Sequence, residues 1–190
     1  MHDNEYISFQ FKLYVMRTFR HFILSVFLTF TTSVMLAQER RSGEDFGGIA
    51  FKVAPPVGDF GNNFNVGWGI SAMNEYVLSK NWSVSFDITY LRWGAKPNDL
   101  LENFTMIAFT AAPKFYVWGD VYLSFELGGF YGTTELSRGQ RFEERYQFGV
   151  VPAIGYHRGI WDFAIEYALV SNRNWVNVRA GFYLFDFQLN

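Results

Sequence analysis

The sequence predicts an all-β protein: an eight-stranded antiparallel up-and-down transmembrane β-barrel, preceded by a cleaved signal peptide. Three observations carry that expectation. Segments of strict apolar/polar alternation recur along the chain, and the clearest is Val121–Thr133, where Val121, Leu123, Phe125 and Leu127 oppose Tyr122, Ser124, Glu126 and Gly128. The connections between such segments alternate between tight and long, the layout of a barrel with turns on one side of a membrane and loops on the other. Aromatic residues make up 21% of the chain at a mean hydropathy of −0.01, a load that suits a surface shown to something other than water.

The chain begins with a segment that is not part of this pattern. Arg17 and Arg20 precede the apolar run Phe22–Ala37, which ends on a small residue before Gln38 and Glu39. A basic start, an apolar stretch and a small residue at the end describe a secretory signal peptide. The run is short for a membrane-spanning helix and is diluted by Thr29, Thr31, Thr32 and Ser33. Residues 1–37 are therefore set aside as upstream residues plus signal peptide, with Met16 a candidate start. Residues 38–45 are expected to form a short periplasmic segment, and 46–187 the barrel domain.

Eight strands are expected: Gly47–Val53, Val66–Leu78, Ser83–Trp93, Thr105–Val117, Val121–Thr133, Arg145–His157, Asp162–Val170 and Trp175–Phe185. Most approach the roughly 9–11 residues that a tilted strand needs to cross a bilayer. Tight connections fall at Ser79–Trp82, Trp118–Asp120 and Arg158–Trp161. Long ones fall at Ala54–Asn65, Gly94–Phe104 and Thr134–Glu144, while Ser171–Asn174 is short but lies on the long-loop side. An N-terminus in the periplasm places the tight turns there and the long loops outside.

The tryptophans fit two membrane-interface belts. Trp82, Trp118 and Trp161 fall on the tight turns, and Trp68, Trp93 and Trp175 fall toward the other ends of their strands. Charged residues collect on the face opposite the aliphatics, as with Asp87 against Phe86 and Ile88, or Glu166 against Ile165 and Tyr167. Eight strands leave an interior only wide enough for side chains. Lys52, Asp87, Lys114, Glu126, Glu166 and Arg179 are thus expected to form a lumen ion-pair network. Pairing Val170 with Trp175 sets Glu166 directly opposite Arg179. Pairing Val117 with Val121 sets Lys114 opposite Ser124, with Glu126 a diagonal neighbour.

Composition excludes several function classes. With 16 Lys and Arg against 18 Asp and Glu, the net charge is −2, which gives no electrostatic case for nucleic acid. Cysteine is absent, which removes disulfides and thiolate metal sites. After residue 37 there is a single histidine, His157, expected at a periplasmic turn as an interfacial residue. A nucleophile–base constellation on the outer rim needs such a base there, so no catalytic residue, cofactor or metal ligand is assigned. Gly47–Gly48 and Gly128–Gly129 lack the strand-to-helix context of a phosphate loop and read as thin places in the wall.

Three segments resemble the outer-membrane β-barrel domain family of Bacteroidetes, the PorT-like or porin-family small barrels. They are VAPPVGDFGNN after the first strand, AAPKFYVWGDVYLSFELGGFYG at the central hairpin, and VNVRAGFYLF at the end, within residues 46–187. The resemblance implies a barrel inserted by the barrel-assembly machinery, and one member type takes part in a gliding-associated secretion system. A departure is the terminus, where Asp186 to Asn190 follow Phe185 instead of the chain stopping on an aromatic.

The expected function is therefore a non-enzymatic structural or interaction barrel of the Gram-negative outer membrane, accessory to secretion or envelope integrity. Its partners would be outer-membrane lipid, lipopolysaccharide, the assembly machinery and an unidentified protein at the outer loops. Arg138, Arg141 and Arg145, in the charged loop Thr133–Arg145, are the candidate lipopolysaccharide contacts. A small-solute channel, an outer-membrane lipid-modifying enzyme and a secreted soluble β-sandwich are the competing readings.

Overall fold

A computed structural model describes residues 42–97, 101–136, 141–143, 146–171 and 173–188. The expected signal peptide, Met16, Arg138 and Arg145 lie outside the described residues. Eight long strands follow one another: β1 Glu44–Ala54, β2 Gly67–Ser79, β3 Trp82–Gly94, β4 Leu101–Trp118, β5 Val121–Leu136, β6 Gln147–Arg158, β7 Trp161–Val170 and β8 Arg173–Gln188. Each pairs antiparallel with its neighbour in sequence, and β1 pairs with β8. The sheet is a closed up-and-down barrel without a free edge.

The register fixes how the barrel is sheared. Starting at Gly48, successive partners are Met73, Asp87, Thr110, Gly128, Gly149, Val170 and finally Arg173 on β8. Gly48 itself pairs with Tyr183, so one circuit is displaced by ten residues, from 173 to 183. With strands about 4.8 Å apart and rising about 3.3 Å per residue, that stagger tilts them about 40°.

The faces are inverted relative to a water-soluble protein. Phe51, Phe86, Phe109, Leu123, Phe125, Ile154 and Ile165 all point out and are exposed, whereas Lys52, Asp87, Lys114, Glu126, Glu166 and Arg179 point in and are buried. Apolar surface on this scale is stable only when hydrocarbon covers it, and every backbone group of a closed sheet is satisfied internally. No helix among the described residues is long and apolar enough to cross a membrane; the strands span it.

Several expected boundaries move. Glu44 and Asp45 belong to β1, not to a segment before the barrel, and β4 begins at Leu101 rather than Thr105. The connection after β7 is tighter than expected. Val170 pairs with Arg173, not Trp175, because Ser171 adopts a positive φ of 52° and lets the chain reverse in two residues. Arg179 consequently lies opposite Ala164, and Glu166 opposite Asn177. The slip is two residues, so every side chain keeps its face. At the central hairpin a bulge sets Trp118, not Val117, against Val121, while Lys114 still faces Ser124.

The long connection after β1 is structured. Pro56–Val57 pairs with β8, and the one-turn helix Asp59–Asn63 folds over the mouth. Arg141–Glu143 adds a short third strand to the β4–β5 hairpin.

Candidate functional site

The interior is built by parity alone, because alternate residues of every strand point to the axis. Its charged groups fall into two tiers. In the middle tier the Arg179 guanidinium is the hub. Its Nη1 lies 2.9 Å from Glu166, 3.3 Å from Asp87 and 3.4 Å from Glu126. Lys52 Nζ donates to Glu166 at 3.0 Å, Asn177 Nδ2 donates to the same carboxylate at 2.9 Å, and the Thr110 hydroxyl donates to Glu126 at 3.2 Å.

The lower tier, toward the tight turns, is organised by Glu75 and Asp162. Glu75 accepts hydrogen bonds from Lys114 at 2.6 Å, from the hydroxyls of Tyr116 and Tyr183 at 2.5 and 2.6 Å, and from Ser83 at 2.7 Å. Asp162 accepts from Tyr122 at 3.1 Å, and Lys114 Nζ lies 3.5 Å away. Arg179 joins the tiers, since its Nη2 lies 2.9 Å from Asp162 and donates to the Tyr122 hydroxyl at 2.6 Å. Long tyrosines therefore fill the width of the barrel and end on carboxylates, which satisfies both groups without water.

Above the charges the lumen is capped by apolar packing. Trp93, Phe104, Phe130 and Trp175 form a buried cluster with Phe60, which the short helix delivers from the first long connection. The Phe60 ring meets Trp93 at 5.3 Å and Phe104 at 5.6 Å, both edge-on. Trp93 Nε1 donates to the Ala54 carbonyl at 2.8 Å, so its one polar atom is satisfied. At the other end Phe46, Tyr183 and His157 pack together, with centroids 4.5–5.9 Å apart.

The structure brings Lys52, Asp87, Glu126, Glu166 and Arg179 together. Lys114 is inside too, but its carboxylates are Glu75 and Asp162 rather than Glu126. Sequence reasoning missed Glu75, Tyr116, Tyr122 and Tyr183, and left Asp162 out of the network. Asp162 carried a usable signal, because it shares parity with Glu166 two turns of the pleat further on. Glu75 did not: its face-mates Met73 and Val77 are apolar, which hides the alternation on β2.

Two interface assignments are corrected. Trp93 and Trp175 are buried in the apolar cap and not at a membrane interface. Trp93 shares parity with Asp87 and Trp175 with Arg179, so the pleat turns both rings inward. Trp68, Trp82 and Trp118 point outward and are exposed, Trp118 at 84%. Trp82 packs on Phe115 at 4.7 Å and Trp161 on Phe182 at 4.4 Å, forming outward aromatic pairs at the tight-turn end. His157 is likewise not interfacial. It is 3% exposed, with Nδ1 3.2 Å from the Tyr116 hydroxyl and 3.5 Å from Glu75, because even-numbered Tyr156 takes the outward face of β6. The ligand atoms of Glu75, His157 and Asp162 lie within 4.8 Å of one another. Lys114 Nζ stands against both carboxylates, so the chain itself supplies the cation there.

Of the candidate outer-loop arginines, only Arg141 is placed, in the strand that pairs with Glu135.

The arrangement defines a class: a transmembrane barrel with a filled, ion-paired interior. Comparison with solved structures agrees at the level of fold. The attachment invasion locus protein Ail of Yersinia pestis superposes with a TM-score of 0.58 at 18% identity, over 77% of this chain and all of that one. The same protein solved with the heparin analogue sucrose octasulfate matches equally. OprG of Pseudomonas aeruginosa, an outer-membrane protein, gives 0.52 at 14% identity, over 80% of this chain and 99% of that one. No family model matches the sequence, and no curated protein does. The chain has the fold of the eight-stranded outer-membrane barrels.

Proposed function

We propose that this chain is a non-enzymatic integral β-barrel of the Gram-negative outer membrane that acts through its outer surface, in a structural or interaction role. The observation that carries the reading is the closed interior. The lumen is occupied at three levels, by the aromatic cap around Phe60, by the Arg179 tier and by the Glu75–Lys114 tier. Among the described residues, side chains at all three levels obstruct the lumen, which weighs against the small-solute channel. A lipid-modifying enzyme would need a base at the outer rim, and His157 is buried at the opposite end among Tyr116, Glu75 and Tyr183.

The outward belt supports a lipid environment, and insertion would fall to the barrel-assembly machinery. Arg138, Arg141 and Arg145 are the proposed contacts for lipopolysaccharide phosphates. A structural neighbour, Ail, has been solved with a sulfated heparin analogue, which makes a polyanion a reasonable probe for this loop. The three motif segments support membership among the PorT-like small barrels of Bacteroidetes, with a role accessory to secretion or envelope integrity and an unidentified protein at the outer loops.

Two measurements test the reading. Fractionation should place the protein in the outer-membrane pool, and recovery in the soluble pool without detergent would overturn it. Refolded protein in planar bilayers should give no reproducible conductance; defined channels would restore the alternative.

A further inference from the structure

We propose that the middle tier of the lumen binds one small, hard monovalent cation of the sodium class, through Asp87 and Ser71. The two tiers differ in how their charge is balanced. In the lower tier, Lys114 Nζ lies against both carboxylates, at 2.6 Å from Glu75 and 3.5 Å from Asp162, and Arg179 Nη2 lies 2.9 Å from Asp162 as well. In the middle tier, three carboxylates share one guanidinium nitrogen, and Lys52 reaches only Glu166 among them. Asp87, Glu126 and Glu166 thus face Lys52 and an Arg179 that Asp162 also shares, an excess of at least one negative charge. All six are buried, where an uncompensated charge is expensive.

Several buried oxygens have no hydrogen-bond partner among the described residues, and those of Asp87 and Ser71 lie on neighbouring strands. Asp87 uses Oδ2 on Arg179, while its Oδ1 is buried and engages no hydrogen-bond partner among the described residues. The Ser71 hydroxyl oxygen is in the same condition. Asp87 pairs with Met73, and Ser71 pairs with Thr89, so the two are diagonal inward neighbours across β2 and β3. Such neighbours lie about 7–8 Å apart and are within reach of a common ligand. A carboxylate and a hydroxyl are hard donors that select a hard cation, and no thiolate exists in this chain. The site offers a single carboxylate, Asp87, already beside Arg179, and so favours a monovalent ion over a divalent one.

The closed ends of the barrel make refolding the step at which to load the site. The full chain is refolded into detergent at pH 8 and constant ionic strength, with sodium chloride or N-methylglucamine chloride, and its heat-modifiable gel midpoint is read. The midpoint is expected to be higher in sodium and to saturate with its concentration. Ser71→Ala, which removes a ligand and no charge, should shift half-saturation to higher sodium. Asp87→Asn, which removes the site's carboxylate, should make the midpoint independent of sodium. Equal midpoints in the two salts overturn the proposal. With both salts repeated across a range of pH, a wild-type midpoint that responds to pH alone also overturns it, because a carboxylate then holds a proton where the ion was assigned. Should Asp87→Asn fail to refold, the wild-type and Ser71→Ala titrations decide the matter by themselves.

Discussion

Arg179 Nη1 lies 2.9 Å from the Glu166 carboxylate although the two are not cross-strand partners: Arg179 sits opposite Ala164 and Glu166 opposite Asn177. The ion pair is diagonal. Small Ala164 leaves room for the guanidinium to turn along the axis, and that turn lets one side chain serve carboxylates from β3, β5 and β7. Removing it should therefore cost more than a single pair.

Arg179→Met would leave Asp87 and Glu126 short of their cation and Asp162 with Lys114 alone. Breaking one buried pair costs about 3–5 kcal/mol, so the unfolding midpoint by heat-modifiable gel mobility should fall sharply. An unchanged midpoint would show that the diagonal pairing contributes nothing.

The corrected placement of the tryptophans is measurable by fluorescence. Trp118, at 84% exposure, should be quenched by aqueous iodide in refolded protein, while Trp93 and Trp175 are protected. Trp93→Ala should destabilise the barrel by about 3–5 kcal/mol, the usual cost of emptying a large aromatic site. Single-tryptophan variants in which Trp93 quenches as readily as Trp118 would contradict the cap.

Phe60→Ala removes the ring that the short helix packs edge-on against both Trp93 and Phe104. Quenching of Trp93 by iodide should then increase, with the charged tiers below still blocking conductance. Protection of Trp93 that is indifferent to Phe60 would mean the helix does not seal the mouth.

Wall thickness gives a contrast between two glycines. A Cβ at Gly128 would run into the Phe109 carbonyl and Thr110 of the neighbouring strand, whereas one at Gly94 would meet nothing within 4 Å. Gly128→Ala should lower the yield of refolded barrel, because backbone is the obstacle and cannot rotate away. Gly94→Ala should be neutral or stabilise by about 0.4–1 kcal/mol through the unfolded chain. Equal behaviour of the two variants would argue against close strand approach at Gly128.

Much of the fold was legible in the residues. Period-2 alternation is a local property, so the strands, their facing and the inward turn of Asp87, Glu126 and Arg179 follow from the sequence by itself. Parity also turns Trp93 and Trp175 inward, and it outweighs their position near the strand ends. Register was beyond reach at β7–β8, because a positive φ at Ser171 is a choice that serine seldom makes and composition does not announce. What the sequence determined is which face each residue occupies. What only the tertiary structure decided is who meets whom across the lumen: Lys114 with Glu75 and Asp162, Arg179 with four carboxylates, Phe60 with Trp93. Those contacts depend on a shear of ten residues around a closed circuit, and closure is a property of all eight strands at once.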